Sequence, residues 1–198
     1  MKLPKATIPF ERYFKYEMGK NVLCLLVLLI SFQSVWAQGE TPGFSDLVPF
    51  VATPDEVVNI ILELSEIQEG DVLYDLGSGD GRIPIEAAVR YGIKAVGVEI
   101  DADLVSEANS NAREMGVEDL VTFVQGDLFE MDFSEATVLV LYLFPDINLK
   151  LRPIIQQLPK GTRVISHRFD MGDWEPEKIR KVTLEDGREH EVYYWTVE

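Results

Sequence analysis

The chain has 198 residues, 46% of them hydrophobic and 26% charged, a composition typical of a globular protein that excludes a wholly disordered one. Its formal net charge of −16 comes from 34 acidic and 18 basic residues, and we expect no nucleic acid partner because phosphates are neutralised by lysine and arginine. A single cysteine, Cys24, and 2 histidines argue against disulfides and against a cysteine- or histidine-based metal site, so no metal is expected.

Residues 1–37 have the three parts of a secretory signal peptide. Basic residues precede an apolar run from Val22 to Phe32, and Val35 and Ala37 follow at the positions that signal peptidase reads. The run is shorter than the ~20 apolar residues that cross a bilayer comfortably. We therefore expect cleavage after Ala37 and export of residues 38–198 to the periplasm or the outside, with membrane contact only through the N-terminal segment. A membrane-anchored or cytoplasmic protein is the alternative.

Helix and strand patterns alternate along the rest of the chain. Thr53, Pro54 and Glu56 match a capping box, so Thr53 is expected to cap a helix that begins at Pro54. The other expected helices are residues 83–92, 102–115 and 147–159. Pro153 is expected to weaken the last of these or delay its start. The expected strands are residues 71–76, 94–100, 120–127, 136–144 and 161–169.

The last part of the chain has the pattern of a β-hairpin. Residues 178–184 and 191–197 are strand-like, and Asp186 and Gly187 between them are typical turn residues. The fourth strand, residues 136–144, is nearly continuous in apolar residues, as in a parallel strand that is covered on both faces. The sequence therefore predicts an α/β fold with a mostly parallel sheet and a C-terminal antiparallel hairpin.

The stretch VLYDLGSGDGRI places three glycines after the first strand, where open α/β sheets bind ligands. Gly77, Gly79 and Gly81 would let the backbone approach a ligand closely. A phosphate-binding P-loop needs Gly-Lys-Ser/Thr, which the chain lacks. The dinucleotide fingerprint G-x-G-x-x-G also fails, because Arg82 stands at its sixth position. Both common nucleotide-binding interpretations are therefore disfavoured.

The acidic residues of this loop suggest the charge of its ligand. Asp75 and Asp80 would repel a diphosphate, whereas they favour a ligand that carries ammonium and sulfonium groups, as S-adenosylmethionine does. The pattern Asp75-x-Gly77-x-Gly79-x-Gly81 resembles the first motif of class I S-adenosylmethionine-dependent methyltransferases. The resemblance implies a Rossmann-like methyltransferase sheet over residues 38–198 and S-adenosylmethionine as cofactor, with Ser78 also lying in the binding loop.

Two more acidic residues lie where this resemblance requires them. Glu99 ends the second strand, where an acid can accept both ribose hydroxyls, and Asp127 ends the third strand, where the family commonly places an acid against the adenine amino group. An acid at a strand end can also be simply solvated or act as a helix cap. Three acids in register on the correct elements favour the cofactor site.

A closer resemblance rests on the segments PFVATP, DLGSGDGRI, LYLFP and GTRVISHRFDMGDW. Together they are similar to the small membrane-associated protein-lysine methyltransferases that modify the adenine nucleotide translocase and the ATP-synthase c-subunit, and to their bacterial relatives. The resemblance covers roughly residues 49–174. It implies that Phe50, Thr53 and Pro54 help to close over the cofactor, and simple helix capping is the alternative for Thr53 and Pro54.

The same resemblance places the methyl acceptor beside YLFPD, at the end of the fourth strand, with Tyr142 and Asp146 as the expected catalytic residues. Aromatic faces there could hold a partly cationic nitrogen near the methyl group. The alternative is that Tyr142 and Phe144 are core residues. His167 is expected to make a structural hydrogen bond rather than to transfer a proton.

We therefore expect an S-adenosylmethionine-dependent methyltransferase whose acceptor is a protein lysine or another protein or small-molecule amine. A nicotinamide-dependent oxidoreductase is one alternative, which Arg82 and the acidic loop disfavour. A non-catalytic module that binds S-adenosylmethionine is another. The signal-like N-terminus departs from the pattern of the family and leaves the acceptor open.

Overall fold

The computed structural model describes residues 50–198, so the signal peptide expected over residues 1–37 lies outside the described residues. The helices and strands are α1 (Asp55–Leu64), β1 (Val72–Leu76), α2 (Arg82–Tyr91), β2 (Lys94–Glu99), α3 (Ala102–Glu114), β3 (Val121–Gln125), β4 (Val138–Leu141), α4 (Pro145–Ile155), β5 (Arg163–His167), β6 (Lys178–Thr183) and β7 (Glu189–Thr196). Among the helices of this described part, none combines the length and the apolar character needed to cross a lipid bilayer.

All seven strands form one sheet in the order β3-β2-β1-β4-β5-β7-β6. β1 to β5 are parallel, and β7 runs antiparallel to both β5 and β6. This confirms the predicted α/β fold with a mostly parallel sheet and a C-terminal antiparallel hairpin. Since the chain runs from β1 outward to β3 and then returns to β4 on the other side of β1, the strand order reverses between β1 and β4. Such a switch point is where open α/β sheets form their ligand crevice.

The sheet has an apolar layer on each face because strand side chains alternate between faces. One layer packs β1, β4 and β5 against α1, α2 and α3, and includes Ile61, Val140 and Ile165. The other packs the sheet against α4, with Leu141 and Leu151 among its buried members. By this alternation, the residues two positions beyond Val140 and Ile165 belong to the face of α1. These are Tyr142 and His167, which lie at the edge where β4 and β5 end.

The predicted cap of the first helix is wrong. α1 begins at Asp55, Pro54 is its N-cap residue, and no side chain caps the first turn. Thr53 is buried, and its hydroxyl lies 3.4 Å from His167 Nδ1 instead of reaching the helix amides. The helix still starts well without a side-chain cap, since the acidic Asp55 and Glu56 lie at the positive end of its dipole.

Two predictions about the region of β4 and α4 are also wrong. β4 covers only Val138–Leu141 rather than residues 136–144, and α4 begins at Pro145 instead of being delayed by Pro153. Pro145 lacks an amide hydrogen and has a backbone suited to the first helical position, so it ends the extended segment and starts the helix. Pro153 lies inside the C-terminal part of the same helix.

Candidate active site

The loop between β1 and α2 is held against β2 by backbone hydrogen bonds. The amides of Gly77 and Ser78 both donate to the carbonyl of Val98, at 2.8 and 3.0 Å. The amide of Gly79 donates to Oε2 of Glu99 at 2.9 Å. The glycine loop and the end of β2 therefore form one preformed unit.

The three glycines of the loop leave no room for a side chain. A Cβ at Gly79 would lie 2.1 Å from the ring of Phe50, and Gly79 has a φ of +53°. A Cβ at Gly77 would lie 2.8 Å from Leu143, a residue that follows β4. A Cβ at Gly81 would lie 2.4 Å from Phe123 in the core. Gly81 is thus required for packing, whereas Gly77 and Gly79 face the segments that border the crevice.

The carboxylate of Glu99 accepts a hydrogen bond from the glycine loop and can still accept another one. Its Oε1 accepts hydrogen bonds from the amides of Ile100 and Asp101, at 2.8 and 3.1 Å, while Oε2 accepts from Gly79. Because a carboxylate has about four lone-pair sites, Glu99 can accept a further donor such as a ribose hydroxyl. Its position at the end of β2, next to the glycine loop, suits contact with a ribose, although the remaining lone-pair site suits one hydroxyl rather than the two expected from the sequence.

Asp127 lies at the neighbouring strand end. β2 pairs with β3 so that Glu99 lies opposite Gln125, and the amide of Gly126 donates to the carbonyl of Glu99 at 2.9 Å. Asp127 follows directly, is exposed, and accepts a hydrogen bond from the amide of Phe129. The structure therefore brings the glycine loop, Glu99 and Asp127 to three adjacent strand ends, in the order β1, β2 and β3.

Asp75 is a buried carboxyl group at the base of the site. Its side chain is 3% exposed, and burial raises its pKa to about 8, with the nearby charges of Glu99 and Asp80 acting in the same direction. At neutral pH such a carboxyl group is protonated, and therefore uncharged, in most of the protein molecules. A ligand that brings positive charge into the crevice would favour its ionised form.

Ser78 contributes to the loop through its backbone rather than its hydroxyl. Its Oγ is buried and has no hydrogen-bond partner among the described residues. The hydroxyl packs against Gly97 of β2, where an added Cβ would lie 2.5 Å away. The side chain therefore points toward β2 rather than along the open crevice.

Arg82 has a role in the site that the sequence pattern does not reveal. Its guanidinium binds the carboxylate of Asp80 through two nitrogens, and its Nη1 donates to the carbonyl of Thr53 at 2.7 Å. Arg82 thereby ties the glycine loop to the segment before α1. The close spacing of Asp80 and Arg82 could have indicated their ion pair, but nothing local indicates the bond to Thr53.

The end of β4 supplies the aromatic side of the site. Tyr142 is half-buried, and its ring centroid lies 4.0 Å from that of His167, which is completely buried at the end of β5. Phe144 is 41% exposed and lies near Phe169. Asp146 is exposed in the first turn of α4. The structure thus brings Tyr142 to His167, which also contacts Thr53, whereas Asp146 lies at the outer surface of this region.

These features fit S-adenosylmethionine. Gly77 and Gly79 let the loop backbone pack directly against Leu143 and Phe50, two residues that border the crevice, where a Cβ would collide with them. The buried Asp75 suits a cationic ligand, and Glu99 suits a ribose. Within the described residues no cluster of His, Cys, Asp and Glu is arranged to hold a metal ion.

We expect Gly79→Ala to weaken the binding of S-adenosylhomocysteine at least about tenfold, since the added methyl group collides with the ring of Phe50 and displaces the loop or the segment that packs on it. Gly92→Ala is the matched control, because Gly92 also has a positive φ, +64°, but has open space around it. Both variants carry backbone strain of about 1–2 kcal/mol. Isothermal titration calorimetry would contradict the assignment if both variants bound the ligand equally well.

Asp75→Asn should change stability and cofactor affinity in opposite directions. A carboxyl whose pKa is raised from 3.8 to about 8 binds a proton on folding, so its stabilising contribution is lost as pH rises through that range. The asparagine does not titrate, so the variant should be more stable than the wild type at about pH 8, by an amount that shrinks toward pH 4. It should also bind S-adenosylmethionine more weakly. Urea unfolding of both proteins across this range, with calorimetry, measures the two effects; an unchanged pH dependence would contradict them.

Comparison with known proteins identifies relatives of this chain. The family described as ANTKMT methyltransferase domain matches residues 75–178. A protein-lysine N-methyltransferase of Saccharolobus islandicus is 43% identical over 153 residues, which cover 76% of this chain and 94% of that relative. An adenine nucleotide translocase lysine N-methyltransferase of Mus musculus is 32% identical over 157 residues, which cover 76% of this chain and 68% of that relative.

Solved structures agree with this assignment. A crystal structure of an RNA methyltransferase from Salinibacter ruber, in complex with S-adenosyl-L-homocysteine, is 59% identical to this chain. It has a TM-score of 0.69, and the match covers 74% of this chain and 94% of that one. The expected family and the expected cofactor are therefore confirmed. With its glycine loop, Glu99 and Asp127 gathered at three adjacent strand ends, the chain belongs to the ANTKMT methyltransferase domain family and is an S-adenosylmethionine-dependent methyltransferase.

Proposed function

We propose that this enzyme methylates the ε-amino group of lysine in a protein. The observation that carries the proposal is the 43% identity to a protein-lysine N-methyltransferase along 94% of that relative's length. The mouse relative, too, is named for the methylation of lysine in a protein. The half-buried Tyr142 beside the glycine loop is a suitable place for an amine acceptor.

Methyl transfer to an amine requires the protein to bind and orient the two reactants, and it does not require an acid or a base from the protein. The bound cofactor supplies an activated methyl group that an amine nitrogen can attack directly. The site must present the acceptor as a neutral amine, since an exposed lysine has a pKa of about 10.4. Desolvation beside Tyr142, Phe144 and Phe169 would lower the pKa of the lysine, whose proton passes to solvent. The aromatic faces can hold the remaining cationic character of the nitrogen.

An RNA acceptor is the competing possibility, because the Salinibacter ruber structure is described as an RNA methyltransferase. The net charge of −16 disfavours it, since RNA binding requires positive side chains that can reach the phosphates. Many basic residues of the described part are already paired with acids: Arg82, Arg90, Arg152, Arg163, Lys178, Lys181 and Arg188. Arg168, next to His167, is a basic residue at the end of β5, near the proposed acceptor site. We therefore propose a protein acceptor and no nucleic acid partner.

The acceptor class can be tested without knowing the acceptor. The purified enzyme is incubated with cell extract and S-adenosylmethionine that carries a labelled methyl group, and the product is treated separately with protease and with ribonuclease. We expect the label to become acid-soluble only after protease and to appear as methyl-lysine after hydrolysis. Gly79→Ala serves as the control with impaired cofactor binding. Label released by ribonuclease would replace the proposal with an RNA acceptor, and the absence of label in protein would contradict a protein acceptor.

Tyr142→Ala should reduce methyl transfer at least about tenfold while changing cofactor affinity less than about twofold, because positioning of the acceptor acts on the transfer step. Tyr142→Phe keeps the ring against His167 and is the matched control, which should retain most of the activity. Melting temperature, affinity for S-adenosylhomocysteine and single-turnover rate are measured on the same preparations. A destabilised Tyr142→Ala variant that transfers methyl at the wild-type rate would make Tyr142 a core residue only.

We also propose that the enzyme is exported through residues 1–37, an inference supported by the sequence pattern alone. Mass spectrometry of the native protein should find a mature N-terminus at Gln38. Recovery of an uncleaved N-terminus from the cytosol would contradict this proposal.

A further inference from the structure

The two histidines of the chain meet in the protein interior. Nε2 of His167 lies 2.8 Å from Nδ1 of His190, and their side chains are 0% and 4% exposed. Burial, reinforced by Arg168, lowers the pKa of both rings, that of His167 to about 3, so both are neutral at physiological pH. One ring therefore donates the hydrogen bond and the other accepts it, which fixes the orientation of His167.

The remaining sides of the His167 ring contact two parts of the active site. Nδ1 lies 3.4 Å from the hydroxyl of Thr53, at the long end of the hydrogen-bond range. The ring centroid lies 4.0 Å from that of Tyr142. His167 thus touches both the segment before α1 and the aromatic residue at the end of β4.

That segment is also held to the cofactor loop. Its Thr53 carbonyl accepts the hydrogen bond from Arg82, which is paired with Asp80. The ring of Phe50, at the start of the same segment, rests on Gly79. Residues 50–54 therefore run from the glycine loop to His167, and they are fixed at both ends.

We propose that His167, oriented by His190, is a positioning residue that holds residues 50–54 over the cofactor loop and Tyr142 beside it. Cofactor affinity then depends on a buried residue that acts on the cofactor only by holding neighbouring residues in place. A pair of apolar side chains could fill the same space without desolvating four ring nitrogens, so stability alone does not account for two histidines here. The proposal rests on the cofactor site and not on the identity of the acceptor.

Three variants test the coupling. His167→Phe keeps an aromatic ring against Tyr142 but removes both nitrogen contacts, and Thr53→Val removes only the hydroxyl. Each should weaken S-adenosylhomocysteine binding about fivefold, as expected for one lost hydrogen bond. The double variant should bind S-adenosylhomocysteine no more weakly than the single variant with the lower affinity, because both changes break the same connection.

Thr162→Val is the matched control for Thr53→Val. Thr162 is also buried and also makes a single side-chain hydrogen bond, to the carbonyl of Ala136, but it lies at the opposite end of β5. It should lower the melting temperature without changing the affinity. If Thr53→Val and His167→Phe also lower only the melting temperature, the pair is structural and the proposal is wrong. Because Thr53→Val retains both histidines, it provides a test even if His167→Phe does not fold.

Nitrogen-15 labelling of histidine gives a second readout, simplified by the presence of only 2 histidines in the chain. We expect both rings to be neutral at physiological pH and to share one protected N–H proton. The Nδ1 resonance of His167 should shift in Thr53→Val and on addition of S-adenosylhomocysteine. A wild-type spectrum in which His167 does not respond to the ligand would overturn the coupling.

Discussion

The carbonyl of Val98 is the anchor on which the active site depends. It accepts hydrogen bonds from two successive amides of the glycine loop, which draws the loop onto the end of β2. This close approach is possible because neither the loop glycines nor Gly97 carries a Cβ; at Gly97 a Cβ would lie 2.5 Å from both Phe123 and the Ser78 hydroxyl. Glu99, the next residue after Val98, then meets the amide of Gly79 and lies ready for a ligand.

The arrangement costs stability in places that match its function. Asp75 is a carboxyl group enclosed in the protein near two other acids, and the Ser78 hydroxyl is buried without a partner among the described residues. A buried polar group without a hydrogen bond costs about 1–3 kcal/mol. Such local conflicts are expected at functional sites, and the two well-packed apolar layers of the sheet offset them. A ligand that brings positive charge to Asp75 would relieve one of the two.

The C-terminal hairpin contacts the end of β5, next to the residues proposed to form the active site, although the family match ends at residue 178. β7 lies beside β5, so its first residues reach the edge where the parallel strands end. There His190 meets His167, and the amide of Arg168 donates to the carbonyl of Glu191. Two segments that are distant in the sequence, residues 50–54 and β7, thus meet at His167 at the end of β5.

Local patterns in the sequence determined most of the fold. Local interactions between near neighbours produce the alternating strand and helix signals, the Asp-Gly turn and the glycine loop. The α/β sheet, its hairpin and the position of the cofactor loop could therefore be predicted from the sequence. The three acids at successive strand ends could also be predicted, because parallel strands bring their carboxyl ends to the same edge. The predicted cap of α1 was wrong because a threonine before a proline can either cap a helix or make a distant contact. In this fold the Thr53 hydroxyl contacts His167.

Only the tertiary structure decided which distant side chains meet. Thr53 and His167 are 114 residues apart in the sequence, and their contact depends on α1 covering the end of β5. His190 reaches His167 because β7 inserts between β5 and β6, an order that no local pattern encodes. The orientation of Ser78 toward β2 likewise depends on the missing Cβ of Gly97. The sequence by itself determined the elements and the cofactor loop; the order of the strands determined the neighbours of that loop, because side chains from separate elements meet only after the sheet has assembled.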